Sequence, residues 1–203
     1  YELTPEPILT SLSQGKKILS DTGMFNTECV EEHIAPLRYQ LDSFERETYK
    51  ELGKLSAEAM YTTAMNITPG MTEFEIAGIL AKEVHSRACL PAVILIAVDD
   101  RIYRYRHPIP TSKKLEKQVM LVLCARLRGL ILSCTRIIYF GTPPEELVKK
   151  HKAVCTVDGT FIKLTRPGVK ISDIFKKAQE MYAETGFGDE WRLHHQGGPC
   201  GYE

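Results

Sequence analysis

A Pro-Gly turn occurs twice in this sequence and limits the folds that the chain can adopt. The tetrapeptide TPGM at 68–71 recurs as RPGV at 166–169, so that Gly168 lies 98 residues after Gly70. Each copy joins two stretches with apolar residues at helical spacing, and Ile76 and Ile174 match at the same offset. Two such halves, each followed by β structure, predict a duplicated α+β unit with pseudo-twofold symmetry. Chance recurrence is the alternative, because Pro-Gly turns often precede helices.

Capping signals locate the helices of the first half. Asp42 and Thr72 are each followed three residues later by a glutamate, which is the spacing of a capping box at a helix start. We therefore predict one helix from 42 to about 66, before the Pro-Gly turn, and a second from 72 onward. Their predicted apolar stripes include Phe44 and Phe74.

Strands are predicted between the two helix pairs. The aliphatic run 92–98 predicts a buried strand, and shorter strands are predicted over 120–123, 130–133 and 136–140, with a bend at Gly129. Arg and Tyr residues over 101–106 alternate like a strand with one basic face. Two further helices are predicted, from about 145 to 163 and from near Ser172.

Charge and cysteine content exclude several classes of protein. The chain has 26 Lys+Arg against 26 Asp+Glu, and this balance argues against the concentrated basic face that nucleic-acid or membrane-surface binding needs. The longest apolar run, 91–98, is far shorter than the roughly 20 residues that span a bilayer. The six cysteines form no CxxC pair, which is typical of a reducing compartment. We expect a cytoplasmic protein with no nucleic-acid or membrane partner.

The two ends suggest a piece of a longer protein. The sequence begins without Met and stops in a turn-rich stretch. Residues 1–35 are interpreted as a linker or the tail of an N-terminal domain, and 36–203 as the main domain with its C-terminal part missing.

The stretch WRLHHQGGPCGY at 191–202 resembles the histidine motif of the pita-bread superfamily, which contains methionine aminopeptidases, Xaa-Pro peptidases and creatinase. Ala125-Arg126, Gly129 and Thr135-Arg136 precede it in the order that these proteins show. The resemblance covers about 36–203 and implies an α+β pita-bread fold, with duplicated helix-helix-sheet halves around a curved antiparallel sheet. It also implies a prolidase-like hydrolase and a homodimer.

The metal ligands are where the sequence departs from the superfamily. Active metallopeptidases of this group hold two divalent ions with two Asp, one His and two Glu. Aligned on Gly129 and Thr135-Arg136, the two Asp positions fall on Val122 and Ser133, and the interval 117–141 contains no Asp or Glu. The two Glu would lie beyond this chain. The sequence therefore predicts a divergent member that lacks the Asp pair, and we expect no metal cofactor.

The candidate site residues follow from creatinase, a relative that hydrolyses a C–N bond with a histidine and no ion. His195, the histidine of the motif, and His107 are the candidate catalytic residues, because an imidazole can both accept and donate a proton near neutral pH. Candidate substrate-binding residues are His194, Arg136 and Tyr202. Alternatives stay open: His107 as a loop residue bonded to backbone, Arg136 as a structural support, and one of the adjacent histidines serving only packing, since extended neighbours point to opposite faces.

The sequence thus predicts an Xaa-Pro peptidase-like hydrolase of a small molecule or short peptide. Its dimetal site is degenerate, and C–N hydrolysis would proceed independently of metal. The alternative is a non-catalytic pseudo-peptidase that binds peptides or small molecules in the same cleft.

Overall fold

A four-stranded antiparallel sheet organises the chain, for which a computed structural model describes residues 4–196 and 200–202. Its strands, in spatial order, are β3 (Leu90–Val98), β4 (Gln118–Leu127), β5 (Leu130–Tyr139) and β6 (Gly201–Tyr202). The β4–β5 hairpin turns at Arg128 and Gly129, whose φ angles of 50° and 90° suit a tight two-residue loop. The predicted bend is confirmed, whereas the separate strands predicted over 130–133 and 136–140 form one continuous strand.

Two long helices cover one face of this sheet. They are α4 (Ser43–Met65) and α5 (Glu73–His85), and both predicted capping boxes, at Asp42 and Thr72, are formed. Alternate residues of β4 point toward these helices, so Leu121 and Leu123 are fully buried. Burial of this apolar surface is the main stabilising contribution of the first half.

Two predictions for these elements were wrong. Phe44 and Phe74 are 63% and 60% exposed, while Glu73, next to Phe74, is completely buried. The predicted basic strand over 101–106 begins instead as a helical turn, α6 (Arg101–Arg104), because the Arg101 side chain is drawn inward to the Glu73 carboxylate.

The second helix pair repeats the first. It consists of α7 (Glu145–Leu164) and α8 (Ile171–Glu184), which pack against each other and are followed by a 3-10 helix (Glu190–Leu193). Gly70 and Gly168, in the two connecting turns, both have the positive φ that favours glycine, at 96° and 83°. Ile76 and Ile174 are both buried, at 0% and 5% exposure. The predicted helix-turn-helix repeat is therefore confirmed.

The N-terminal segment contains short elements. They are α1 (Pro5–Ser13), a parallel pair of two-residue strands, β1 (Leu19–Ser20) and β2 (Glu28–Cys29), and the single-turn helices α2 (Glu31–Ile34) and α3 (Pro36–Tyr39). No residue of α1, α2 or α3 is buried. Within residues 4–196 and 200–202, none of the helices combines the length and the hydrophobicity needed to cross a membrane.

Candidate active site

Three histidines from the two halves of the chain converge. One ring nitrogen from each of His107, His194 and His195 lies within 4.8 Å of the other two. The ring centroids of His107 lie 5.1 Å from His194 and 6.1 Å from His195, and the two adjacent rings are 4.2 Å apart. His194 is half-buried and the other two are exposed, so the cluster is open to ligands.

A buried carboxylate holds the loop that carries His107. Oε1 of Glu73, at the start of α5, accepts hydrogen bonds from the Val98 amide and from Arg101 Nε, both at 2.9 Å. Its Oε2 accepts from the amide and hydroxyl of Thr111, at 2.8 and 2.6 Å. These four donors satisfy a charge that would otherwise be costly to bury, and they join α5, β3, α6 and the loop after His107.

The residues next to His107 are also bound to β3 and α6. The carbonyl of the buried Pro108 accepts from the Ile96 amide at 3.2 Å, and the carbonyl of Ile109 accepts from Arg101 Nη2 at 2.9 Å. His107 is therefore attached to the sheet through its neighbours on the C-terminal side.

Gln196 fixes the segment that carries the adjacent histidines His194 and His195. Its Nε2 donates to the carbonyls of Trp191, at 3.0 Å, and His194, at 2.6 Å. Its Oε1 accepts from the hydroxyl of Tyr182 on α8 at 2.7 Å. Burial raises the pKa of Tyr182, which keeps this phenol protonated as the donor. The 3-10 helix and α8 therefore fix the backbone on both sides of His194.

The tautomer of His194 follows from one contact. Its Nδ1 lies 2.7 Å from the carbonyl oxygen of His195, and because a carbonyl only accepts, Nδ1 carries the proton. In the neutral ring, Nε2 then has the lone pair. The His194 backbone is extended, at φ −151° and ψ 153°, yet both rings join the cluster. The expected divergence of the two side chains is therefore not observed.

A cavity adjoins His194. It has a volume of about 290 Å³ between α7, α8 and the 3-10 helix. Its lining combines apolar walls with one residue of each charge: Lys150, Ala153, Val154, Tyr182, Phe187, Glu190, Leu193 and His194. A wider groove of about 730 Å³ follows the first turns of α7, and its lining includes none of the three histidines. The smaller cavity is the one placed to hold a ligand at the cluster.

Arg136 and Tyr202 occupy other places. Arg136 lies opposite Leu121 in the β4–β5 pair, and its exposed side chain donates from Nη1 to the Thr135 carbonyl at 2.7 Å. The Tyr202 hydroxyl donates to Glu45 Oε1 at 2.6 Å and so connects β6 to the capping box of α4. The structure therefore brings the three histidines together, whereas these contacts of Arg136 and Tyr202 are with other parts of the fold.

The positions aligned with the metal-binding aspartates do not fit a dinuclear centre. Val122 pairs with Thr135 and Cys124 with Ser133, on the sheet face away from α4 and α5. Cys124 Sγ lies 3.2 Å from Ser133 Oγ. Strands β4 and β5, which are described in full, carry no Asp or Glu, the ligands that bridge two hard divalent ions. No reaction step is therefore assigned to a dinuclear metal centre on β4 and β5. Gly197 and Gly198 of the histidine motif lie outside the described residues.

Comparison with known proteins defines the class. The model of metallopeptidase family M24 matches residues 47–201, and the chain belongs to this family. The fold is similar to that of prolidase from Pyrococcus furiosus, with a TM-score of 0.78 and 23% identity over 86% of this chain and 52% of that one. A dipeptidase from Pyrococcus horikoshii gives a TM-score of 0.80 at 22% identity, over 98% of this chain and 62% of that one. The α+β pita-bread fold is thereby confirmed.

Among curated proteins, an uncharacterized peptidase of Staphylococcus haemolyticus is 24% identical over 91% of this chain and 54% of its own length. An uncharacterized peptidase of Staphylococcus epidermidis is 34% identical over 44% of this chain and 26% of its length. The chain therefore spans about half the length of the first relative, and its match covers about a quarter of the second.

Sequence reasoning missed the residues that position the histidines. Glu73 occupies the first turn of a helix, where a solvated acidic residue is common, and nothing in its sequence context indicates burial. Gln196 directly follows His195, and its adjacency was the available signal. Tyr182 lies 14 residues before Gln196, and only the fold brings the two together.

Proposed function

We propose that this chain supplies a hydrolase site for the C–N bond of a small molecule or short peptide, with histidines rather than two metal ions as the reacting groups. The observation that carries the proposal is the convergence of His107, His194 and His195 in a chain with Val122 and Ser133 at the aligned carboxylate positions.

The cluster has the dimensions for acid–base work around one water. Two ring nitrogens up to 4.8 Å apart can both hydrogen-bond to an oxygen between them, since each such bond is about 2.8 Å long. In the proposed reaction His195 accepts a proton from the attacking water, whose oxygen adds to the substrate carbon. The C–N bond then breaks and the leaving nitrogen takes a proton from His107. The proton that His195 accepted from water then passes to His107, which regenerates the starting cluster.

His194 is assigned to substrate binding. Its ring lines the cavity, and the bond from Nδ1 to the His195 carbonyl leaves Nε2 as an acceptor for a substrate N–H. Lys150 and Glu190, at the same cavity, suit the opposite charges of a short peptide or other zwitterion. The similar solved structures are those of a prolidase and a dipeptidase, which supports peptides as the first compounds to screen.

The test is a screen of proline-containing dipeptides, amides and amidines in the presence of a chelator, followed by variants. With a substrate found, His195→Ala should lower kcat at least a hundredfold, the usual contribution of general acid–base catalysis. His85→Ala, an exposed histidine at the end of α5, is the matched control and should leave kcat unchanged. Unchanged turnover in His195→Ala would contradict the proposal.

The alternative function is non-catalytic binding. It is favoured by the same two positions, Val122 and Ser133, together with a largely apolar cavity that is already formed. It predicts saturable binding of proline-containing peptides or small amidines with no product after long incubation. Binding that disappears on Val154→Asp, in the cavity wall, would place the ligand there.

We propose a cytoplasmic location, supported by six free thiols among the described residues, and a homodimer, as the resemblance implies. We expect no nucleic-acid or membrane partner. Arg136 and Tyr202 keep their proposed substrate role until variants of each are assayed. Residues 1–35 are proposed as a linker or tail and 36–203 as the hydrolase domain, supported by the family match beginning at 47.

A further inference from the structure

We propose that the three-histidine cluster binds one borderline divalent ion of the zinc class, and that this ion reversibly blocks the site. The blocking role rests on the proposed function, because it assumes that the same imidazoles perform the hydrolysis. The binding itself depends only on the arrangement of His107, His194 and His195.

The donor set selects the kind of metal. Imidazole nitrogen suits Zn²⁺, Ni²⁺ and Cu²⁺, whereas Mg²⁺, Ca²⁺ and Mn²⁺ prefer carboxylate oxygens. The cluster contains three imidazoles and no carboxylate among the described groups that meet within this distance. Three protein ligands with a fourth open position are a common composition of zinc sites.

The spacing permits a mononuclear site. Tetrahedral Zn²⁺ with Zn–N bonds of about 2.0 Å places its nitrogen ligands about 3.3 Å apart. The ring nitrogens of the cluster already lie within 4.8 Å, so each has to move by less than about 1 Å to reach this geometry. The His107 ring is exposed and can rotate about its side-chain bonds.

His194 is already oriented as a metal ligand. Metal-binding histidines usually donate their second ring N–H to a carbonyl or a carboxylate, which fixes the tautomer and increases the basicity of the coordinating nitrogen. Nδ1 of His194 makes this contact with the His195 carbonyl at 2.7 Å. Nε2 is therefore the coordinating atom.

Coordination and acid–base catalysis exclude each other in this cluster. A bound ion occupies the ring nitrogen with which His195 would accept a proton and the one on which His107 would carry the proton that it donates. Zn²⁺ is therefore expected to inhibit hydrolysis and a chelator to restore it, while Mn²⁺ has no effect at the same concentration.

Binding is tested by titrating the chelator-treated chain with ZnCl₂, NiCl₂ and MnCl₂ in a calorimeter, without substrate. We expect one Zn²⁺ per chain in the cluster, similar behaviour of Ni²⁺ and no binding of Mn²⁺. His107→Gln, His194→Gln and His195→Gln should each weaken Zn²⁺ binding at least tenfold.

His151→Gln is the matched control. His151 on α7 lies 3.8 Å from the Cys155 sulfur, so these two residues are a candidate zinc-binding pair that could compete with the cluster. The His151→Gln variant should leave the cluster affinity unchanged. Loss of Zn²⁺ binding in this control, or retention in all three cluster variants, would overturn the inference. Histidine NMR signals of the unmutated chain give a second readout: Zn²⁺ should shift the three cluster histidines, and shifts confined to other histidines would contradict the site.

The two proposals fail in different ways. Hydrolysis without Zn²⁺ binding would overturn this inference and leave the proposed function standing. Zn²⁺ binding to the cluster without hydrolysis of any screened compound would retain the site and remove the proposed function. Activation of hydrolysis by Zn²⁺ would overturn the blocking role.

Discussion

The two helix pairs share a turn sequence but differ in what they bury. Six residues of α4 and four of α5 are buried, and these helices pack on β3, β4 and β5. In α7 and α8 the buried residues are two in each helix: Ala153 and Val157, and Ile174 and Ala178. The repeat therefore specifies the helices and their connection, while the sheet determines how large a core each pair forms.

The two segments that carry the clustered histidines differ in the same way. His107 lies in the loop after α6, and the fully buried Glu73 holds this loop, whereas His194 and His195 depend on hydrogen bonds of the half-buried Gln196 and Tyr182. Local opening is easier where few apolar contacts are made. We expect the His107 side of the cluster to be the more rigid one.

The largest expected difference between the pairs comes from the matched isoleucines. Ile76→Ala should lower the free energy of unfolding by about 4 kcal/mol, because it leaves a cavity in the main core. Ile174→Ala should cost about 2 kcal/mol, since this side chain lies between two helices outside that core. Urea unfolding of both variants checks this, and equal losses would show that the halves are equally packed.

A second substitution removes the buried charge that fixes the loop carrying His107. Glu73→Gln should cost about 3 kcal/mol, because the amide NH₂ faces donors and Arg101 loses its buried partner. Glu146→Gln is the control. It removes an exposed ion pair with Lys150 on α7 and should change the free energy of unfolding by less than about 0.5 kcal/mol. The His107 NMR signal should shift in Glu73→Gln alone. An unchanged His107 signal would show that Glu73 does not position this histidine.

The smallest expected effect concerns helix capping. Thr72→Ala should cost about 1 kcal/mol, since the Thr72 hydroxyl accepts from the Glu75 amide. Lys170 occupies the corresponding position of α8 without a side-chain cap, so Lys170→Ala should be nearly neutral. Urea unfolding of the two variants measures both values, and equal losses would show that the cap adds nothing to the first pair.

Acid titration sharpens the capping prediction. Hydrogen bonds from the Thr72 backbone and side chain lower the pKa of Glu75. Their stabilising effect is present above the unfolded-state pKa and is lost as the pH falls through the folded-state value. Thr72→Ala should therefore lose less stability on acidification than the unmutated chain, and an identical acid profile would contradict this.

The elements with local signals were predictable from sequence. Capping residues identified the starts of α4 and α5, and the Pro-Gly repeat identified both connections. Exposure of Phe44 and Phe74 could not be predicted, because helical spacing alone does not decide where the buried stripe ends.

The candidate site was predictable in part. Individual histidines were identified from motif and chemistry, but their convergence depends on how the two halves pack. The burial of Glu73 was not predictable either, since its four donors come from segments 25 to 38 residues away in the chain.

A histidine site in place of a dinuclear centre is tested by elemental analysis of the chain after dialysis against excess Mn²⁺ and removal of unbound ion. Val122 and Ser133 offer no carboxylate, so we expect no stoichiometric manganese. Two Mn²⁺ per chain would contradict it and restore a dimetal peptidase mechanism.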